Sequence, residues 1–484
     1  VAGTAIEAQA VHSGLPPVRA AQLRVLVERL ITEGRSREAV PGDTDVEVRL
    51  HHGPGHLRVE VRDRRLPLTA AETKRSQARR LAAIGFADRI RIGRDGERGN
   101  RAEVEVRLDT DDSVADFVEP HDIGGPDTPR PPRVGEAEAA ALEVREMSPS
   151  DAAGLARCIY RCYGYTYLNP MMYRPRQIAA ALRTGQMTSV VAVTPDGEVV
   201  GHMALTFDHS GDPVPEAGKL VVDPRYRGYH LSDRLAEHRK AVAVEMELPG
   251  YWLECVTNHP YSQKEALATG GVETGLLLGM TPSSSEMTGV ENFSGGRHAL
   301  IPCYVPLPAD LDKDAQAGRS RQVHVPARHA ELVDRLYGAL GLRREVRIDP
   351  APAGTDRVGD TVLTTDVTPA AGRAHLRVAS IGDDLGERVA QELEGLMAFE
   401  VATTHVDLPL WQPAAAAAVE ALEPLGFFWA ALVPCFGAGG DVLRLQRLGD
   451  HPVQTEGIVC ARAEAEQMRD VVLAEWHRVQ RGRS

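Results

Sequence analysis

Residues 219–235 read KLVVDPRYRGYHLSDRL, and the rest of the chain is understood from this stretch outward. Leu220, Val221 and Val222 predict a short buried strand, which Asp223-Pro224 stops. Arg225, Arg227 and Gly228 then make a cationic turn, and a helix is expected from about His230 to Glu245. Strand, turn and helix start together suit an anion. The first N–H groups of a helix lack partners inside it, and the helix dipole favours negative charge there. A solvated surface turn without a ligand is the plainer alternative that the loop alone leaves open.

The 484 residues predict roughly three domains at about 100–200 residues each. Hydrophobic content of 43% and charged content of 25% suit a soluble globular protein. A net charge of −13 gives no global attraction to nucleic acid or anionic membrane. No apolar run reaches the roughly 18 residues of a spanning helix. The opening VAGTAIEAQAVHSG lacks the basic-then-apolar order of a secretory signal. A cytoplasmic protein that engages neither membrane nor nucleic acid is expected. Cys158, Cys162, Cys255, Cys303, Cys435 and Cys460 are scattered, with no Cys-x-x-Cys pair, and read as free thiols rather than zinc ligands.

The spacing Pro224-x-Tyr226-Arg227-Gly228, with Leu235 in the helix, resembles motif A of the GCN5-related N-acetyltransferase (GNAT) superfamily. His230 stands where that family has its middle glycine, and Ser232 where it has Gly or Ala. The resemblance implies an acyl-CoA, acetyl-CoA first among them. Its pyrophosphate would lie at Arg227, Gly228, Tyr229, His230, Leu231 and Ser232, and its acyl arm along Leu220, Val221 and Val222. It also implies direct transfer to an amine of a small molecule or protein. Glu216, eleven residues before Arg227, has the spacing of the family's base. Glu254 lies on the next apolar strand, WLECVT, where a carboxylate is either paired or poised. His259 could be a base, a turn residue or a cap. Ala266 occupies the position of the family's acidic Tyr, so Tyr261, Ser262 or water would have to protonate the leaving thiolate. Tyr163, Tyr165, Tyr167 and Asn169, in YRCYGYTYLNPMMYRP, are either core packing or a wall of the acceptor pocket.

Around this centre the expected architecture is multidomain α/β. Residues 141–310 follow the GNAT order, a mixed sheet whose central strands splay so that an acyl arm can pair like an added strand. Residues 1–110 give helix, hairpin, helix, hairpin, and resemble the histidine-kinase-like ATPase fold of anti-sigma regulatory factors. Glu28 and Asp63 match that family's motifs. Thr32 replaces its metal-holding Asn, and Arg65 and Pro67 replace its glycines, so ATP and Mg²⁺ are not expected and a scaffolding or partner-binding role is. Residues 111–140 read as a Pro/Gly-rich surface linker. Residues 311–484 resemble a second, degenerate GNAT-like repeat with a C-terminal helix, and Asp383 and Asp384 stand where a pyrophosphate would have to lie. Two further readings stay open: a regulatory or scaffold protein that senses CoA or a nucleotide without catalysis, and other acyl-CoA chemistry such as O-acyl transfer or decarboxylation. The sequence fixes neither the acceptor nor the oligomeric state.

Overall fold

The computed structural model describes residues 2–35, 45–53, 56–66, 76–94, 99–108, 132–164, 166–167, 169–207, 212–282, 296–311, 321–348 and 359–482. Two large sheets carry the chain. The first segment contributes strands β1 (Val46–Gly53), β2 (His56–Asp63), β3 (Arg89–Arg94) and β4 (Asn100–Arg107). The central segment contributes β5 (Glu143–Glu146), β6 (Met187–Val193), β7 (Val199–Thr206), β8 (Glu216–Val222), β9 (Gly250–Val256), β10 (Val272–Glu273), β11 (Leu277–Thr281) and β12 (His298–Pro306). After the short parallel pair β13 (Gln322–His324) and β14 (Glu345–Arg347) come β15 (Val362–Thr368), β16 (Arg373–Ser380), β17 (Thr403–Pro409), β18 (Phe428–Gly437) and β19 (Gly440–Leu448).

The central sheet runs β10-β12-β9-β8-β7-β6-β5, with β11 also on β12. It is antiparallel except at β8 and β9, which the helix Leu231–Glu245 connects. That helix buries Leu231, Leu235, Ala236 and Val242 against Val190, Ala192, Val200 and Met203 of β6 and β7. On the other face Ala152–Tyr163 and Pro175–Arg183 bury Leu155, Ile159, Ile178 and Ala181 with Val191, Val199 and Val221. The alternating apolar residues of β6 and β7 thus feed two cores, which is what a strand covered on both faces requires.

The second sheet runs β1-β2-β4-β3-β15-β16-β17-β19-β18, nine strands from both ends of the chain. The junction is β3 against β15, antiparallel from Gly93↔Thr364 to Ile90↔Val367. The two hairpins expected near the N-terminus are present. The N-terminal helix Ala2–His12 was not expected, and of the helix read over Thr69–Ile84, residues 69–75 lie outside the described residues. The expected surface linker also acquires structure at its end: residues 132–135 pack on the turn after β8, and Glu136–Ala140 is helical. The two sheets meet where Leu276 N–H donates to Ala430 O (2.9 Å) and Leu432 N–H to Thr274 O (3.0 Å). Among the described residues no helix is long and apolar enough to cross a membrane, and no cluster of three His, Cys, Asp or Glu forms a metal site.

Candidate active site

The site begins with a flaw in strand pairing. From Ala204↔Gly218 to His202↔Val221, β8 spends one residue more than β7. This bulge holds Lys219 at a φ of 56°, left-handed and uncommon for a non-glycine residue. The fully buried His202 supports it. Its Nδ1 lies 2.8 Å from Lys219 O and its Nε2 3.1 Å from Ser189 Oγ. A neutral ring satisfies both partners, with Nδ1–H donating to the carbonyl and Nε2 accepting from the hydroxyl. Burial pushes the His202 pKa down to about 4, so neutrality is secured.

Beyond the bulge, β8 and β9 separate. Glu216↔Trp252 is the one pair they share, although β9 stays fully paired to β12 on its far side. The backbone between the diverging strands is left open for an extended ligand.

The turn after β8 is held rigidly. Asp223, 1% exposed, accepts from Arg225 N–H (3.0 Å), Arg225 Nε (3.0 Å) and Arg161 Nε (2.7 Å). Burial alone would raise its pKa, but the two guanidinium groups carry it below the usual carboxylate range. Arg225 is committed to Asp223 and Glu198. Arg227 is not: its Nε–H donates to Val222 O (3.1 Å), and it forms no ion pair among the described residues. Gly228 has a φ of 89°, and a Cβ there would sit 3.0 Å from Arg133 Nη1. Arg133 is exposed and is brought in by the strap at 132–135, where Val134 N–H donates to Arg225 O (3.1 Å) and Tyr229 OH donates to Val134 O. His230 takes the left-handed conformation that glycine accepts easily, at a φ of 57°. Its imidazole stands in solvent, 87% exposed, with Nδ1 2.9 Å from Asp233 Oδ2. No side chain caps the helix that follows. Leu231 is buried beneath it and Ser232 is half-buried.

Tyr163 and Tyr167 lie with ring centroids 5.2 Å apart. Tyr163 feels the charge of Arg227 and Tyr167 that of Glu216, so the pair bridges from the turn to the closed end of the splay. Burial pushes Tyr163 up to about 12 and Tyr167 higher still, so both remain phenols. Asn169 turns out to cap a 3₁₀ turn, accepting from Met171 N–H (3.1 Å), and Tyr173 ties the segment to Gly164 O (2.7 Å). Tyr165 lies outside the described residues.

Glu216, Trp252 and Glu254 line a cavity of about 260 Å³ between the two sheets. His259 and Tyr261 do not line it. They pack on each other at 5.0 Å, Tyr261 N–H donates to His259 Nδ1 (3.4 Å), and Tyr261 is 72% exposed. Ser262 Oγ is buried without a partner, and Ala266 is fully buried in the core.

The opposite wall of the cavity was missed from sequence. It comes from the nine-stranded sheet: Arg89, Asp366, Arg373, His375, Arg377, His405, Phe436 and Arg444. A signal was available, because RAHLR and TTHVD alternate charged with apolar residues at positions that read as interior strands.

Residues 153–266 match the family model described as "Acetyltransferase (GNAT) family". That region is an acetyltransferase domain of the GNAT type. Similar solved structures include a GNAT-family acetyltransferase from Streptococcus pneumoniae (17% identity, 34% of this chain and 99% of that one, TM-score 0.28). Another is a Salmonella typhimurium chain assigned as an acetyltransferase and solved with its cofactor acetyl-CoA (16%, 34% and 94%, 0.29). A third is a variant of the spermidine N-acetyltransferase of Vibrio cholerae (11%, 36% and 99%, 0.28). The likeness covers about a third of this chain. No curated protein matches it.

Proposed function

We propose that the chain is an acyl-CoA-dependent N-acyltransferase, with acetyl-CoA as the donor, that transfers the acyl group directly to an amine. The observation that carries this reading is the opening between β8 and β9, which leads to an uncapped helix start flanked by Arg133 and Arg227. The helix amides and the two guanidinium groups suit a pyrophosphate, and the unpaired strand backbone suits the amide arm. The amine enters from the cavity. Glu216 or Glu254 takes its proton, and the nitrogen lone pair attacks the thioester carbon. The C–N bond forms, the C–S bond breaks, and the thiolate leaves with a proton from water. His259, Tyr261 and Ser262 are not assigned to this step, because none of them lines the cavity.

For the flanking segments we propose a supporting role. In residues 311–484, β16, a helix and β17 repeat the order of β8, helix and β9, which is the arrangement expected of a degenerate GNAT-like repeat. But β16 and β17 share five successive pairs, from Arg373↔Thr403 to Arg377↔Asp407, where β8 and β9 share one, so the opening that suits an acyl arm is much reduced. Among the described residues, the cavity beside Asp63, lined also by Arg388 and Glu392, is about 70 Å³, well under the roughly 300 Å³ of a small-molecule pocket. Glu33 already caps the helix there, accepting from Ser76 Oγ (2.7 Å), Gln77 N–H (2.7 Å) and Ala78 N–H (3.0 Å). This suits a degenerate ATPase-like fold kept for scaffolding.

Glu216→Gln and Glu254→Gln, alone and combined, test the chemistry by acetyl-CoA-dependent thiol release. The variant lacking the base is expected to lose about 10²-fold in kcat or more, with acetyl-CoA affinity unchanged. Full activity in the double variant would exclude both carboxylates as the base.

A further inference from the structure

We infer that the acceptor is an amine that also carries a carboxylate, an amino acid or close analogue, and that the nine-stranded sheet reads the carboxylate. The inference rests on the acyl-transfer reading above and adds the acceptor's class.

The cavity has two walls of opposite character. Glu216 and Glu254 make the wall on the β8/β9 side, at the closed end of the splay. Arg89, Arg373, Arg377, Arg444, His375 and His405 dominate the other. Strand register explains this concentration. Arg373, His375 and Arg377 alternate along β16, and across it His375 faces His405 on one side and Asp366 on the other. Arg377 faces Asp407, which in turn faces Arg444. One face of the sheet is therefore polar and buried, with Asp366, His405, Asp407 and Arg444 each at most 5% exposed. A buried sheet face is ordinarily apolar, and charge is expensive to bury unless it is paired or used.

Most of these groups are paired. Arg89 grips Asp366 with two bonds of 2.6 Å. Arg444 grips Asp407 at 2.8 and 2.9 Å, and His375 Nε2 lies 2.7 Å from the same carboxylate. Arg444 also stacks at 5.5 Å from the Trp252 centroid and 5.2 Å from that of Phe436. Arg377 reaches Asp212 only at 3.7 Å and its Nε is buried without a partner, and two further groups stand beside it. Arg373 lines the cavity without a hydrogen bond or ion pair among the described residues. His405 Nε2 is buried with no partner. A surplus guanidinium beside an unsatisfied ring nitrogen matches one carboxylate, with two oxygens to accept. The carboxylates on the facing wall match the amine that must lose its proton. A diamine would instead bring its second ammonium toward Arg373, which disfavours it. A cavity of about 260 Å³ takes a molecule of amino-acid size. The amine nitrogen would form its bond to the acyl carbon as the thioester C–S bond breaks. A facing carboxylate takes the proton and an N-acyl amino acid leaves.

The test reads binding without turnover. The common L-amino acids are titrated calorimetrically into the full-length protein, with and without acetyl-CoA. Each ligand that binds is then compared with its decarboxylated amine, such as L-phenylalanine with phenethylamine, L-leucine with 3-methylbutylamine, and L-lysine with cadaverine. We expect at least one amino acid to bind and its amine to bind at least about ten-fold more weakly. Arg373→Ala should bring the amino acid down to the level of the amine, and Arg373→Lys should recover part of the loss. An amine that binds as well as its amino acid, an Arg373→Ala variant that binds normally, or no amino acid bound at all would overturn the proposal. Acetyl-CoA titrated into the same samples separates the two readings. Acetyl-CoA bound with amino acids ignored removes this inference alone. Amino acids bound with acetyl-CoA ignored removes the transfer reading and leaves the carboxylate site standing.

Discussion

His202 shows at the scale of one residue how a buried polar group can shape a ligand site. It is surrounded by apolar strands, yet both ring nitrogens have partners, and one of these is the carbonyl of the strained Lys219. The ring must stay neutral to serve both. Its pKa falls from 6.5 unfolded to about 4 folded, chiefly because burial penalises the charged form, against the opposing hydrogen bond to Lys219. The sign follows. Between these two values the unfolded chain binds the proton and the folded one does not. The contribution is therefore full above the unfolded value, shrinks as pH falls toward about 4, and is flat below. Its size is on the order of 3 kcal/mol. Denaturant unfolding at stepped pH should show this loss in wild type, and a His202→Gln variant should lack that part of the slope. Parallel pH curves for the two proteins would remove His202 from the account. None of this was legible in EVVGHMALTF, where the histidine reads as one polar residue in a strand. Its meaning depends on a bulge in a neighbouring strand.

At the scale of the element, the strand, turn and helix of residues 219–245 were legible because Pro224, Gly228 and the apolar spacing carry local signals. His230 stands where the motif has its middle glycine. The backbone answers by placing His230 in the left-handed region with its side chain in solvent, so it adopts a glycine conformation without blocking the turn. A left-handed non-glycine residue costs about 1–2 kcal/mol. His230→Gly should therefore raise stability, by up to about 1 kcal/mol after the entropy of the unfolded glycine is counted. It should also leave acetyl-CoA affinity unchanged. A lower melting temperature together with weaker binding would show that the imidazole contacts the ligand. The strap at 132–135 was not legible, because PRPPRVGE carries linker composition and its value lies in what it touches. Tyr163 and Tyr167 were legible as a crowded aromatic run. Inside that run Gly164 ends one helix and Asn169-Pro170 starts a 3₁₀ turn, which the aromatic spacing alone did not announce.

At the scale of the whole molecule, the sequence suggested three units in a row, and the chain instead weaves its first and last segments into one sheet. Nothing local announces the pairing of β3 with β15, which brings together residues more than 270 positions apart. It is sealed by charge: Arg79 reaches Glu392 (3.1 Å) with both groups nearly fully buried, and Glu392 also holds Arg388 and Thr365. Such pairs cost desolvation, and here they join segments that lie far apart in the chain. The consequence is functional, since this sheet supplies one wall of the cavity and the GNAT-type sheet the other. The central claim is that the gap between β8 and β9 and the turn beyond it bind acyl-CoA. Calorimetric titration of acetyl-CoA into wild type and Arg227→Ala tests it most directly. We predict binding by wild type and at least about ten-fold weaker binding by the variant, which has lost a charge-assisted contact to phosphate. No heat with either protein, or equal affinity for both, would contradict the account.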